Sequence, residues 1–288
     1  MKERLNSWDT LKGLCILCVL FGHLLSELPF SVVGSLTLFG IYAWHVPLFM
    51  TISGRFAKFN IRRALFFIAL FVIFRSWFIG VLGLYLFLTP LLSKVTQTKT
   101  QILLTLSAFV AGVLFGFVPL PTNLWYISKF VAFLPFFIFG YYRLFEKIQI
   151  KHKVLTCIAL FVATFMLFPW FQNTLPFAMS GTYFNVTWLH RVAVYAIGLC
   201  WTIWWINAMP NKHVPLITTL GTITCGIYVF HDPFVPMVAQ WIKPLIAASP
   251  VPTLTVLLIT AVWIAILWYP AVLLNKLMKL ITSKRSKT

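Results

Sequence analysis

Lys12 and His23 lie in the first long apolar run of the chain, at a spacing that allows them to serve one reaction. They are eleven residues apart, which in an α-helix comes within about 20° of whole turns and separates them by roughly 16 Å along the axis. Asp9 and Glu27 lie near the same face, and Glu27 is one turn beyond His23, where its carboxylate can orient the ring. Imidazole accepts protons near neutral pH, so we expect His23 to act as a general base that Glu27 orients.

Two more ionisable side chains are expected at the depth of His23 if these runs cross a bilayer. His45 is ten residues before Arg55, and Arg75 is twelve residues after Arg63, which places both roughly 15–18 Å from the cytoplasmic edge. A charge in hydrocarbon costs at least ~2.5 kcal/mol, so a buried arginine needs partners. We therefore expect His23, His45 and Arg75 to meet in a catalytic centre, where Arg75 would stabilise developing negative charge. The alternative for either histidine is a hydrogen bond between helices.

The composition of the chain shows which elements hold these residues. Of its 288 residues, 60% are hydrophobic and only 10% are charged, and the mean hydropathy is +0.92. Soluble domains carry about 25% charged residues, so this chain cannot cover an aqueous surface. Its apolar runs have the length of membrane-spanning helices rather than that of the short alternating strands of a barrel. The predicted fold is an all-α integral membrane protein with one transmembrane domain over residues 1–288.

The charged residues predict the topology. The net charge is +18, but the basic residues fall in short loops and tails, which is typical of cytoplasmic loops rather than of nucleic-acid binding. They alternate with nearly uncharged loops, which predicts about ten spans and two cytoplasmic termini, including a basic tail at about 276–288. Residues 62–93 are counted as two helices broken near Gly80 and Gly83, the alternative being one long helix. The predicted spans are 9–28, 33–54, 62–78, 79–93, 101–118, 125–142, 153–170, 188–207, 213–238 and 252–281.

Proline and aromatic residues mark positions near which a ligand could bind. Pro47, two residues after His45, is expected to break the second span toward a cavity, unless it is a packing kink. Trp125 and Tyr126 lie near the outer interface of the membrane. They either stack on a sugar acceptor or belong to the aromatic belt that is common at membrane interfaces. Arg191, near the same interface, is interpreted as an ordinary anchor.

The five cysteines predict neither a disulfide framework nor a metal site. All of them lie in apolar runs, as small buried residues do. Cys15 and Cys18 have the spacing of metal ligands, but no second pair follows them. We therefore expect no bound metal.

Four stretches of sequence, in order along the chain, resemble the acyltransferase family 3 of membrane O-acyltransferases. The basic residue, ten intervening residues and histidine of the first helix resemble the hallmark of that family, with lysine at the basic position as in its fucose 4-O-acetylase-like subgroup. The chain departs from the family pattern at two positions. Arg55 stands where the family usually has an aromatic residue, and Cys225 replaces part of a serine-leucine pair. The four stretches are Trp8 to Leu14 with Phe21-Gly22-His23, Trp44 to Phe49 with Ser53-Gly54, Leu124-Trp125-Tyr126 with Pro135 to Gly140, and Gly221 to Tyr228 with Phe230-His231.

The resemblance implies a donor, an acceptor and a set of binding residues. The donor would be cytoplasmic acyl-coenzyme A, with acetyl as the first candidate and no permanently bound cofactor. The acceptor would be a sugar hydroxyl of an extracytoplasmic or lipid-linked glycan, reached from the inner membrane of a bacterium. Basic residues clamp phosphate oxygens, although positive-inside anchoring explains the same cluster. The expected coenzyme A site comprises Asp9, Lys12, Arg55, Lys58, Arg62 and Arg63, and the expected acceptor site comprises Trp125, Tyr126, His231 and Asp232.

Two other functions are compatible with the same residues. Midplane histidines and proline-broken helices also suit a proton-coupled transporter, although no internal repeat is evident. A non-catalytic subunit or acyl-group sensor would tolerate loss of His23. Within the enzyme interpretation, a covalent acyl-histidine is an open variant. The identity of the acceptor, the length of the acyl group and the oligomeric state stay open.

Overall fold

The computed structural model describes residues 6–28, 32–118, 125–171 and 187–283, and this part of the chain is helical without strands. The prediction of an all-α fold is confirmed, and residues 284–288 of the predicted basic tail lie outside the described residues. The α-helices are α1 (Asn6–Ser26), α2 (Val32–Tyr42), α3 (His45–Arg55), α4 (Ile61–Phe74), α5 (Trp77–Leu92), α6 (Thr98–Phe115), α7 (Trp125–Tyr141), α8 (Lys153–Phe171), α9 (Trp188–Ala208), α10 (Ile217–Thr222), α11 (Thr224–His231), α12 (Val235–Ala247) and α13 (Pro252–Ser283).

Five helical segments of the described residues are long and apolar enough to cross a membrane. A hydrocarbon layer about 30 Å thick requires about 20 apolar helical residues, which these segments approach or exceed. Three apolar helices are shorter, namely Trp77–Leu92, Tyr126–Tyr141 and Lys153–Pro169. The count of ten spans and the cytoplasmic termini stay predictions. The five segments are Asn6–Ser26, Val33–Arg55, Thr98–Phe115, Trp188–Ala208 and Pro252–Thr282.

The region 62–93 forms two helices, as predicted, but the predicted position of the break is wrong. Helix α4 ends at Phe74, and Arg75 adopts a left-handed conformation with φ of 53° before α5 begins. Gly80 and Gly83 instead lie inside α5, and both approach α4 closely: a Cβ on Gly80 would lie 2.6 Å from Cγ of Phe71. These glycines lack a side chain where two helices touch, so they allow a close contact between α4 and α5 and do not break a helix.

Two other predicted spans are interrupted. The second span is broken at Ala43 and Trp44, and Pro47 lies in the first turn of α3, where a missing N–H costs little. The interruption lies before His45 and Pro47, and an opening toward a cavity at Pro47 stays a prediction. The predicted span 213–238 is divided into α10, α11, a 3-10 turn at Asp232–Phe234 and the start of α12.

The chain divides into two units that are each built from separate segments. Unit 1 comprises Met1–Gly34, Phe59–Phe87 and Asn211–Thr288, and unit 2 comprises Ser35–Lys58 and Leu88–Pro210. The interpretation of the whole chain as one functional domain stays a prediction.

Unit 1 is organised by the contact of α1 with α10. A Cβ on Gly13 would overlap the carbonyl oxygen of Ile217, and a Cβ on Gly221 would overlap that of Asp9. The two backbones therefore touch, as small residues allow in membrane helices. Within this contact the buried hydroxyls of Thr10 and Thr218 lie 2.7 Å apart. The crossing fixes α1 against the segment that continues into α11.

Unit 2 is organised by a similar contact between α3 and α7. A Cβ on Gly54 would overlap the carbonyl oxygen of Phe137, and a Cβ on Gly140 would overlap that of Thr51. The packing of α9 on α6 and α7 uses a larger side chain, since the hydroxyl of Tyr195 donates to the carbonyl of Ala132 at 2.8 Å. Unit 2 thus combines close contacts at glycine with aromatic packing.

Candidate active site

The site in unit 1 is centred on His23 in the last turn of α1. Its side chain is 24% exposed, so the ring is held by the protein yet open to a ligand. The Nδ1 atom of His23 lies 3.3 Å from Nε2 of His231 and 3.8 Å from Oδ1 of Asp232. The three side chains come from the two ends of the sequence and form one cluster.

His231 is the rigid member of this cluster. It ends α11, its side chain is fully buried, and its Nδ1 lies 2.7 Å from the carbonyl oxygen of Tyr228. The rings of Tyr228 and Trp263 lie beside it, with centroid distances of 5.1 and 6.4 Å. A buried ring with one nitrogen bonded to the backbone keeps a fixed orientation, so His231 presents Nε2 to His23.

Among the described residues, Asp232 provides the only carboxylate of this cluster. It begins the 3-10 turn after α11, and its side chain is 29% exposed. The ligand atoms of His23, His231 and Asp232 all lie within 4.8 Å of one another, a spacing that could also hold a divalent cation. The sequence predicted no metal site, and this cluster is compatible with one.

Glu27 lies just beyond the end of α1, and its role in orienting His23 stays a prediction. It follows the end of α1 in a turn, its backbone N–H donates to the carbonyl of Leu24, and its side chain is exposed. The helix ends one residue before Glu27, so helical spacing alone does not fix the position of its carboxylate relative to the ring of His23. The acid that lies near His23 is Asp232.

Arg75 lies on the surface of the protein rather than among packed helices, and its depth in a bilayer stays a prediction. Arg75 caps the C-terminus of α4, its backbone N–H donates to the carbonyl of Phe71 at 2.7 Å, and its side chain is exposed. Helix α4 runs unbroken from Arg63 to Phe74, but it ends before Arg75, whose side chain is therefore not enclosed by a continuing helix. A role for Arg75 at a reacting thioester stays a prediction.

Lys12 and Asp9 form an ion pair on α1. The Nζ atom of Lys12 lies 2.6 Å from Oδ1 of Asp9, and the two side chains are 24% and 5% exposed. Asp9 thereby orients the ammonium group on the helix face that leads to His23. Binding of coenzyme A by this pair stays a prediction.

The other basic residues of the predicted coenzyme A site belong to both units. In unit 1, Arg62 is exposed and Arg63 lies in the first turn of α4, with its guanidinium 5.3 Å from the ring centre of Phe67. In unit 2, Lys58 is exposed, whereas Arg55 forms an ion pair with Glu146. Arg55 therefore has a structural partner within its own unit, which the sequence did not reveal.

The remaining predicted site residues have separate surroundings. His45, in unit 2, is buried, and its Nδ1 lies 2.8 Å from the carbonyl oxygen of Ile41. Tyr126 is partly exposed in the first turn of α7. Trp125 begins that helix, and its side chain lies outside the described part of the structure. Their roles in binding or catalysis stay predictions.

The arginine that the described residues bury among packed helices is Arg191 rather than Arg75. Its side chain is 1% exposed, and Nη2 donates to the carbonyl of Gly112 at 3.1 Å. A Cβ on Gly116 would overlap the guanidinium, so the absence of a side chain there makes room for it. Gly112 and Gly116 are one helical turn apart, and this spacing could have indicated a close approach to α6. Arg191 thus connects α6 with α9 and is not an interface anchor.

Comparison with known proteins supports the resemblance seen in the motifs. The family model of acyltransferase 3, described as an acyltransferase domain, matches residues 5–72 and 59–269. These overlapping matches cover most of the chain and include every member of the His23 cluster. No curated protein and no solved structure gives a significant match. The chain therefore belongs to the acyltransferase 3 family of membrane acyltransferases.

Proposed function

We propose that this protein is an O-acyltransferase that moves an acyl group, acetyl in the first instance, from cytoplasmic acyl-coenzyme A to a sugar hydroxyl. The acceptor is an extracytoplasmic or lipid-linked glycan, and the enzyme works in the inner membrane of a bacterium as a member of the fucose 4-O-acetylase-like subgroup. One observation carries the proposal: in a chain of this family, a partly exposed histidine is held by a second histidine and a carboxylate.

The reaction needs one base and no further reactant. His23 takes the proton of the sugar hydroxyl while its oxygen attacks the thioester carbonyl. The carbon–sulfur bond then breaks, an ester forms, and the imidazolium returns its proton to the departing thiolate of coenzyme A. Asp232, 3.8 Å from His23, stabilises the positive charge that His23 carries between these events.

Charges on the chain suit an anionic donor. The basic residues of unit 1 include the ion-paired Lys12, the exposed Arg62 and Arg63 at the start of α4. A helix N-terminus and guanidinium groups both favour phosphate oxygens. The exposed guanidinium of Arg75 is able to reach a ligand, and we assign to it the stabilisation of the tetrahedral intermediate.

The test follows acetyl-labelled acetyl-coenzyme A into glycan in membranes that contain the protein and its envelope acceptor. His23→Ala should abolish transfer at matched expression, and His213→Ala, which removes an exposed histidine of unit 1, should not. Arg75→Lys should also fail, because a point charge does not replace a planar fork of donors. Label that is unaffected by His23→Ala would contradict the assignment of the base and make His45 the next candidate. If wild-type membranes transfer no label, other acyl donors and then solute transport are to be tested.

A further inference from the structure

The hydrogen bonds of the cluster determine which nitrogen of His23 carries a proton. A carbonyl oxygen only accepts hydrogen bonds, so Nδ1 of His231, 2.7 Å from the carbonyl of Tyr228, must donate. Neutral His231 then has its lone pair on Nε2, which faces Nδ1 of His23 at 3.3 Å. A hydrogen bond between these two atoms requires that His23 donate through Nδ1. The lone pair of His23 is consequently on Nε2.

We propose that His231 is a positioning residue that fixes His23 as the Nδ1–H tautomer and leaves Nε2 as the base. The inference rests on the proposed function for its catalytic consequence, but the tautomer itself is a property of the resting protein. It replaces the acceptor-binding role that the resemblance implied for His231. A fully buried ring cannot meet a bulky glycan, whereas it can hold a neighbouring ring.

Asp232 extends the same arrangement. When Nε2 of His23 takes a proton, Nδ1 keeps its own, and the positive ring lies 3.8 Å from a carboxylate oxygen. His231 provides the lone pair that selects the tautomer, and Asp232 provides the charge that stabilises the imidazolium. Because His231 and Asp232 are adjacent in sequence, one turn of chain delivers both functions to α1.

The first measurement determines the tautomer of His23 in the resting protein, without any acyl transfer. Purified protein with ¹⁵N-labelled histidine is reconstituted in lipid, and the ring nitrogens of His23 are identified by the signals that His23→Ala removes. The proposal requires His23 to be protonated at Nδ1 and unprotonated at Nε2 in the neutral state. A resting protein with the proton of His23 on Nε2 overturns the proposal, whatever the variants do. About one equivalent of bound transition metal also overturns it, because the metal would occupy the lone pair of His231.

The second measurement compares two substitutions that differ in one property. His231→Phe keeps a ring but removes the acceptor, and His231→Gln keeps a carbonyl oxygen that can accept. Loss of the partner that orients a metal-bound histidine typically costs about 10- to 100-fold, and by analogy His231→Phe should lower the maximal rate of label transfer by about that factor. The KM for acetyl-coenzyme A should be unchanged, and the tautomer signal of His23 should change. His231→Gln should recover part of the rate, and His213→Gln should match the wild type.

The outcomes separate this inference from the proposed function. Equal losses of rate in His231→Phe and His231→Gln with an unchanged His23 tautomer would show a structural role and overturn the inference. A wild-type rate in His231→Phe would do the same. If wild-type protein transfers no acyl group, the proposed function fails, while the tautomer spectrum still confirms or contradicts the arrangement of the two rings.

Discussion

Replacing Gly226 by alanine tests whether the contact of α11 with α13 positions His231. A Cβ on Gly226 would lie 2.5 Å from both Cα and the carbonyl oxygen of Ala271. An ordinary contact begins at 3.4 Å, so the helices must separate by about 3.4 − 2.5 = 0.9 Å. The neighbouring atoms belong to backbone and cannot rotate away. The displacement arises five residues before His231, in the helix that His231 ends.

The expected stability change is small, because two effects oppose each other. Overpacking costs about 1–3 kcal/mol, and alanine in place of glycine in a helix returns about 1 kcal/mol. The net loss of about 0–2 kcal/mol should lower Tm in detergent by at most a few degrees. Activity should fall much more, because a misplacement of about 1 Å in an active site can cost about 100-fold.

The matched control is Gly40→Ala in α2. A Cβ there would lie 3.6 Å from Cζ of Phe165, an ordinary contact, so this variant should keep its activity and gain stability. Both variants are compared with the wild type by Tm and by label transfer from acetyl-coenzyme A. Wild-type activity in Gly226→Ala would refute the reasoning that the close contact at Ala271 positions His231 against His23.

Two further predictions concern charged residues of unit 1. Lys12→Met should destabilise the protein by about 3–5 kcal/mol, because the buried carboxylate of Asp9, a residue that is 4% exposed, loses the ammonium that neutralises it. Adding Asp9→Asn to the same chain should restore most of the lost stability in a double-mutant cycle. Additive effects of the two substitutions would contradict the pairing. Arg75→Gly should raise Tm, because a residue with a side chain in the left-handed conformation costs about 1–2 kcal/mol relative to glycine. Label transfer should be lost in the same variant if the guanidinium acts on the thioester. A lower Tm in this variant would contradict the argument that Arg75 is strained.

The sequence by itself determined the properties that depend on local composition and helical periodicity. An apolar chain with few charges must form helices in a membrane, since every backbone polar group needs a partner there. The ion pair of Lys12 with Asp9 and the position of His23 on α1 follow from spacing within one helix. Ordered motifs indicated the family, which the match over residues 5–72 and 59–269 confirms.

Most of the errors arose because the sequence does not mark where a helix in an apolar run begins or ends. Arg75 was expected among packed helices at the end of a helix counted from Arg63; α4 does run from Arg63 to Phe74, but it ends there and the side chain of Arg75 is exposed. Glu27 was placed one turn above His23, but α1 ends at Ser26. Depth counted along a helix has no meaning beyond a break, and apolar runs contain few residues that mark a break.

The tertiary structure decided which residues meet. His23 and His231 are 208 positions apart, and no spacing rule connects them. They meet because glycines allow α1 and α10 to touch and because Gly226 lets α11 approach α13. A glycine in a sequence does not indicate which residue it will contact, yet in a packed bundle its lack of a side chain sets the distance between two helices. Asp232, and not Glu27, therefore became the acid beside the base.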